Sequence, residues 1–208
     1  MTGWSDNDLS RDERFRLQTT EQFAALGRFV QAFEGMVSAF RSSIIFVFGG
    51  GLHNQQLLNI LLHHRAMTAQ PLFEVMRAHY AVKLDQLGDS ADPAERAVVD
   101  AAMSYLSREC NDLFSIRNNL LHGSWYIGWA SQDQEDFSKI LAYKHKVGGS
   151  GLSTASMPAS SADLDALTAR CVAAEALVVR INGGFLLGQR VRFNIRKDGD
   201  AWVAEPPQ

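Results

Sequence analysis

Apolar residues recur along the first third of the chain at alternating steps of three and four: Phe23, Leu26, Val30, Phe33, Val37, Phe40, Ile44 and Val47. That spacing gathers them on one helix face. It predicts a long amphipathic helix from about residue 14 to the glycines at 49–51, which suit a helix C-terminus. A second helix is predicted over about 54–66, "NQQLLNILLHHRA". Thr68 caps a third, about 69–87, with Pro71 in its first turn, where a missing N–H does little harm. The segment "GDSADPAE" breaks and restarts the chain. Asp92 is placed to cap a fourth helix, Pro93 takes its first position, and Glu95 stands where a capping box needs an acid. This helix should run to about 122 and stop at Gly123.

The period then changes from helical to alternating. "SWYIGWA" sets Trp125, Ile127 and Trp129 at every second position, and "KILAYKHKV" alternates as well. Together they predict a two-stranded hairpin around the polar stretch "SQDQEDFS". "GGSGLSTASMPASS" reads as a loop of small residues. A fifth helix starts near Ser161 and is expected to end at the "NGG" of 182–184. The remainder could be a helical turn and a short hairpin around "KDGD", or a mobile tail. The fold class is therefore mainly α: a helical bundle of four to five helices with a small β-hairpin inserted before the last long helix. The expected organisation is an arm over 1–13 and one helical domain over 14–185, with the hairpin at about 124–147 and the loop at 148–160. Residues 186–208 form a C-terminal extension or tail.

Composition narrows the classes. The chain has 208 residues, 46% hydrophobic and 21% charged, with a net charge of −3. These are the values of an ordinary globular domain. A general coating of nucleic acid would show as a basic excess, so any RNA site must be local. The start, "MTGWSDNDLSRDERF", lacks the basic and apolar regions of a signal peptide. The longest apolar run, "SIIFVF", is far short of the ~20 residues of a membrane span. Two cysteines, Cys110 and Cys171, have no paired spacing, and Cys110 falls on an apolar stripe. A cytoplasmic protein is expected.

The candidate chemistry lies in "SIRNNLLHGSW", residues 115–125. Val99, Met103, Leu106, Cys110 and Leu113 trace the inward seam of the fourth helix. The next step lands on Arg117 and the one after on Leu120. One turn away on either side stand Leu113, Phe114, Leu120 and Leu121, none of which can pair with a guanidinium. A charge in such a place needs a partner from elsewhere, because desolvation is costly. The partner could be a carboxylate such as Glu34, Glu74 or Glu109, a phosphate, or a second copy of the chain. Asn118 and His122 stand four apart, on one face. Imidazole exchanges protons near neutral pH, and arginine is the preferred fork for phosphate. These residue types suit phosphodiester chemistry, and they equally suit a structural arginine and a histidine favouring a helix dipole.

The stretch "RNNLLH" resembles the signature of the HEPN superfamily: an arginine, a polar follower, and a histidine after four to six intervening residues. Four residues separate Arg117 from His122, and Asn118 is the follower. The likeness in residues covers 116–125, and in expected fold about 14–185, close to an uncharacterised bacterial subgroup. The resemblance implies a helical homodimer with two motifs facing each other in one cleft. It implies a metal-independent endoribonuclease of phage-defence or toxin–antitoxin systems, with RNA as substrate and a cognate antitoxin or partner protein. Arg117 would hold the scissile phosphate, His122 would act as general acid or base, and Asn118 would orient the pair. No cofactor or metal is implied. The superfamily also has non-catalytic members that serve as binding modules.

Other residues carry weaker signals. Lys144 and Lys146 put positive charge on the second strand and could touch an RNA backbone; a solvated strand edge is the alternative. Trp125 could stack a base or cover the end of the bundle. His63 and His64 point about 100° apart on a helix and lack matching ligands, which argues against a metal site. His79 could line a cleft or simply occupy a helix face.

Overall fold

The computed structural model describes residues 10–48, 52–63, 67–87, 92–127, 137, 139–148, 151–187 and 195–205. Five helices account for most of them: α1 (Arg11–Phe48), α2 (Leu52–Leu62), α3 (Ala69–Leu87), α4 (Pro93–Leu121) and α5 (Ser161–Leu187). Between α4 and α5 lie three strands, β1 (Ser124–Ile127), β2 (Lys139–Gly148) and β3 (Gly151–Ser160). The chain closes with β4 (Ile195–Asp198) and β5 (Ala201–Ala204). The protein is thus mainly helical with a small antiparallel hairpin before the last long helix, as the hydrophobic periods predict. No described helix is long and apolar enough to cross a membrane.

Two compact units divide the chain, Met1–Gln31 with Ser115–Ala169, and Ala32–Phe114 with Arg170–Gln208. All three boundaries fall inside helices, in α1, α4 and α5, so composition gives no linker to mark them. The second unit holds most of the helical core. Phe33, Phe40, Phe73 and Phe114 meet edge to face, with Phe114 centred 6.0 Å from Phe33, 6.2 Å from Phe73 and 6.4 Å from Phe40. Edge-to-face geometry suits the ring quadrupoles. Val99, Met103, Leu106, Cys110 and Leu113 are all buried, so the seam walked along α4 is real. The free thiols of Cys110 and Cys171 are both buried, and burial pushes each up to about 12.

The α1 stripe needs a correction. Phe33, Val37, Phe40 and Ile44 are buried, but Phe23 is 60% exposed. The inward residues of the first half are Thr19, Gln22, Ala25 and Phe29. A strict seven-residue repeat drifts by about 20° per heptad on a straight helix, so over three heptads the apolar stripe leaves the packed face. Polar and small residues take over there, which hides the true face from a hydrophobic scan.

The stretch 148–160, expected as a loop, is mostly strand. β3 pairs with β2 from Lys139↔Ser160 to Gly148↔Gly151, extending the β1–β2 hairpin to a three-stranded sheet in the order β1-β2-β3. Ser, Thr, Ala and Gly bring full backbone pairing capacity without an alternating signal. Pro158 is tolerated because β3 is an edge strand.

α5 likewise runs five residues past Asn182, through Gly183 and Gly184, to Leu187. Helical glycine costs about 1 kcal/mol, and buried contacts offset it. Tyr80 Oη lies 3.2 Å from Asn182 Oδ1 and 3.1 Å from Ser43 Oγ, within hydrogen-bond reach of both. The Tyr80 ring lies 5.0 Å from that of Phe185. Residues 195–205 are a hairpin, as one of the two readings had it, and Gly199 takes φ +58° in its turn, a value that favours glycine.

Helix starts follow the caps read from the sequence. The Ala94 amide donates to Asp92 Oδ1 at 2.9 Å. Two reciprocal boxes also form: Ser10 with Glu13 at α1, and Ser160 with Asp163 at α5. The Ser160 amide, followed by its hydroxyl, holds the Asp163 carboxyl below its ordinary range. A depressed carboxylate contributes stability above its unfolded pKa and loses it as pH falls through the folded value. Asp163 is exposed, so the effect is small. Asp163→Ala is expected to cost about 0.5–1 kcal/mol at neutral pH. In urea titrations the gap from wild type should close as pH drops below about 4.

Candidate functional site

The candidate site is the last turn of α4. Leu113 and Phe114 on one side and Leu120 on the other are buried. Arg117 sits between them around the helix axis but is only half-buried. Its Nε is buried, and Nη1 donates to Asn118 Oδ1 at 3.5 Å. Asn118 and His122 are both exposed. The His122 amide donates to the Asn118 carbonyl at 3.2 Å, so His122 completes the final turn just as the chain leaves the helix. The three residues read from the sequence are thus neighbours on one helix end.

Of the carboxylates considered for Arg117, Glu109 accepts from Arg170 Nε at 2.5 Å; Arg170 Nη2 also donates to Asp112 Oδ2 at 2.6 Å. Those bonds, Glu109 first, hold the Arg170 guanidinium more firmly charged than usual. Glu74 accepts from Gln70 at 3.1 Å, and Glu34 is exposed.

The sheet begins where the site ends. Ser124 pairs with Tyr143 and Trp125 with Ala142. β2 continues beyond that first pair, so Lys144 and Lys146 lie one and three residues past it, paired with Ala155 and Ser153 of β3. The backbone register therefore places both lysines on β2 beyond its pair with Ser124, the first residue of β1. Trp129 and His64 lie outside the described residues. His63 is exposed and His79 half-buried; burial lowers the His79 pKa and favours the neutral ring. Among the described residues no group of three or more His, Cys, Asp or Glu side chains is arranged to hold a metal ion.

Phe137, assigned to a polar loop, is buried, and its ring lies edge-on to Phe15 at 5.1 Å. Gln22 Nε2 donates to the Phe137 carbonyl, and the Phe137 amide donates to Gln18 Oε1 at 2.8 Å. Two glutamines one turn apart on α1 thus grip both polar groups of a single residue. Their spacing, on the face carrying Phe15 and Thr19, is the signal that could have revealed the clamp. Nearby, Arg28 bridges Glu21 at 2.7 Å and Asp165 at 2.9 Å; these groups are exposed and contribute little.

No protein-family model, curated protein or solved structure matches the chain. The functional reading therefore rests on the residues themselves.

Removing a partner from a buried carbonyl costs about 1–3 kcal/mol. Gln22→Ala is expected to lose that much in chemical denaturation. Gln70→Ala, which removes an exposed bond to Glu74, should change stability by less than about 0.5 kcal/mol.

Proposed function

We propose that the protein is a metal-independent endoribonuclease whose composite site is built from Arg117, Asn118 and His122 of two copies, acting in phage defence or a toxin–antitoxin system. The observation that carries this reading is the grouping of the three side chains on one helix end, with Asn118 and His122 open to solvent. The resemblance of "RNNLLH" to the HEPN signature supplies the reaction class.

Helix geometry supports the need for two copies. Arg117 and His122 are five residues apart, which places them about 140° apart around the axis. A single helix end does not converge both on one reacting atom. Two such ends facing each other could bring the arginine of one copy to a phosphate beside the histidine of the other. In that arrangement one imidazole takes the proton of the ribose 2′-hydroxyl. The 2′ oxygen bonds to phosphorus, and the bond from phosphorus to the 5′ oxygen breaks. A protonated imidazole returns a proton to that 5′ oxygen. Arg117 meets the charge building on the phosphate oxygens, and Asn118 holds Arg117 in place. Lys144 and Lys146 would contact the RNA backbone, and Trp125 would offer a ring for a base.

A second reading, a non-catalytic HEPN-like helical module binding RNA or a partner protein, is favoured by the exposure of His122 at the helix end.

The test is cleavage of RNA in EDTA. Wild type should cut, and Arg117→Ala and His122→Ala should each slow cleavage by roughly a hundredfold or more. If both variants cut like wild type, the site assignment fails. An intact wild type that binds RNA without cutting it supports the module. A mass near 23.0 kDa by light scattering at micromolar concentration would contradict the two-copy site.

A further inference from the structure

We infer that the outer face of α5 is a docking surface for α5 of a second copy of this chain, with the two helices parallel. The inference stands on this helix face alone and is independent of RNA cleavage.

α5 is apolar on two opposite sides. Its inner side, with Cys171, Ala174, Leu177, Val178 and Ile181, is buried in the core. Its outer side carries Val172, Ala176, Val179, Gly183 and Leu186, spaced four, three, four and three apart. That is the spacing of a helix–helix seam two heptads long. Val172 is 51% exposed, and Val179 and Leu186 are each 55% exposed. A helix with an apolar stripe on each of two opposite sides has two faces to bury, yet one of these faces solvent. Branched and long side chains alternate with alanine and glycine. A Cβ added at Gly183 would meet nothing within 4 Å, so another helix has room to approach.

Charge on the flanks selects the occupant and its direction. Glu175 stands immediately before Ala176 on one edge of the seam, and Arg180 immediately after Val179 on the other. Both are half-buried. The Glu175 carboxylate lies next to Gly35 of α1, within 3.0 Å of where a Cβ there would sit. In a parallel pair the residue before the seam on one helix faces the residue five further along on the partner's opposite flank. Glu175 of each copy then meets Arg180 of the other, and symmetry makes the pair twice. In an antiparallel pair each flank faces its own counterpart, and Glu175 turns toward Glu175. An unrelated apolar helix has no reason to carry this match.

Cross-linking reads the geometry directly. Val172→Cys and Leu186→Cys, each made separately in the full chain, should give covalent dimers under mild oxidation. Parallel packing brings identical residues together at both ends of the seam. Wild type should give none, because Cys110 and Cys171 are buried. Antiparallel pairing would link neither single variant and only a mixture of the two, which would overturn the inference. Sedimentation velocity tests the charges. Glu175→Arg and Arg180→Glu should each raise the dimer dissociation constant about tenfold or more, and the double exchange should return it to within about threefold of wild type. If the exchange fails to restore the dimer although both cysteine variants fold by circular dichroism and do not cross-link, no such interface exists. Because Glu175→Arg could disturb the packing over Gly35, the cysteine variants decide by themselves.

Discussion

The rotational phase of α4 is fixed by four phenylalanine rings, and everything proposed for the site depends on that phase. Phe114 meets Phe33, Phe40 and Phe73 within one cluster, and Leu113 beside it is buried. An α-helix turns 100° per residue, so Arg117 falls about 40° from Leu113 and Asn118 about 140° from it. The arginine is held along the apolar face, and the asparagine and histidine are carried outward. A rotation of one residue would expose Phe114, and burying a phenylalanine is worth about 1.5–3 kcal/mol. The rings are therefore what commits a charged side chain to a half-buried position.

Much of this was legible in the sequence because hydrophobic period and helix punctuation are local. The α3 range and the start of α4 followed from Thr68, Pro71, Asp92 and Pro93. Arg117 stood out because it interrupted a seam that the structure buries from Val99 to Leu113. Other features stayed hidden for physical reasons. β3 is made of residues whose only contribution to the sheet is backbone pairing. The end of α5 is decided by Tyr80, more than 100 residues away, whose hydroxyl reaches Asn182. The Phe137 clamp depends on two glutamines 115 and 119 residues distant in sequence. Long-range polar contacts leave almost no local trace.

The sequence also marked the candidate residues without showing what they face. Spacing alone could say that the residues one turn from Arg117 on its own helix carry no charge. It could not say that Asn118, one residue along, would lie within 3.5 Å, because adjacent side chains on a helix ordinarily diverge. Nor could it show that β2 outruns β1, so that Lys144 and Lys146 pair with β3 beyond the last β1 pair. What emerges is a last stretch of α4 that carries a guanidinium, an amide and an imidazole.

The central claim is a transfer within RNA itself, in which the 2′-hydroxyl attacks its own phosphate. The most direct measurement is the chemistry of the cut ends, read by mass spectrometry on an RNA and on the same RNA with a 2′-deoxyribose at the cleavage point. The account predicts a 2′,3′-cyclic phosphate and a 5′-hydroxyl from the first, and no cut at the substituted position in the second. Products bearing a 5′-phosphate, or equal cleavage of the deoxy-substituted strand, would contradict it.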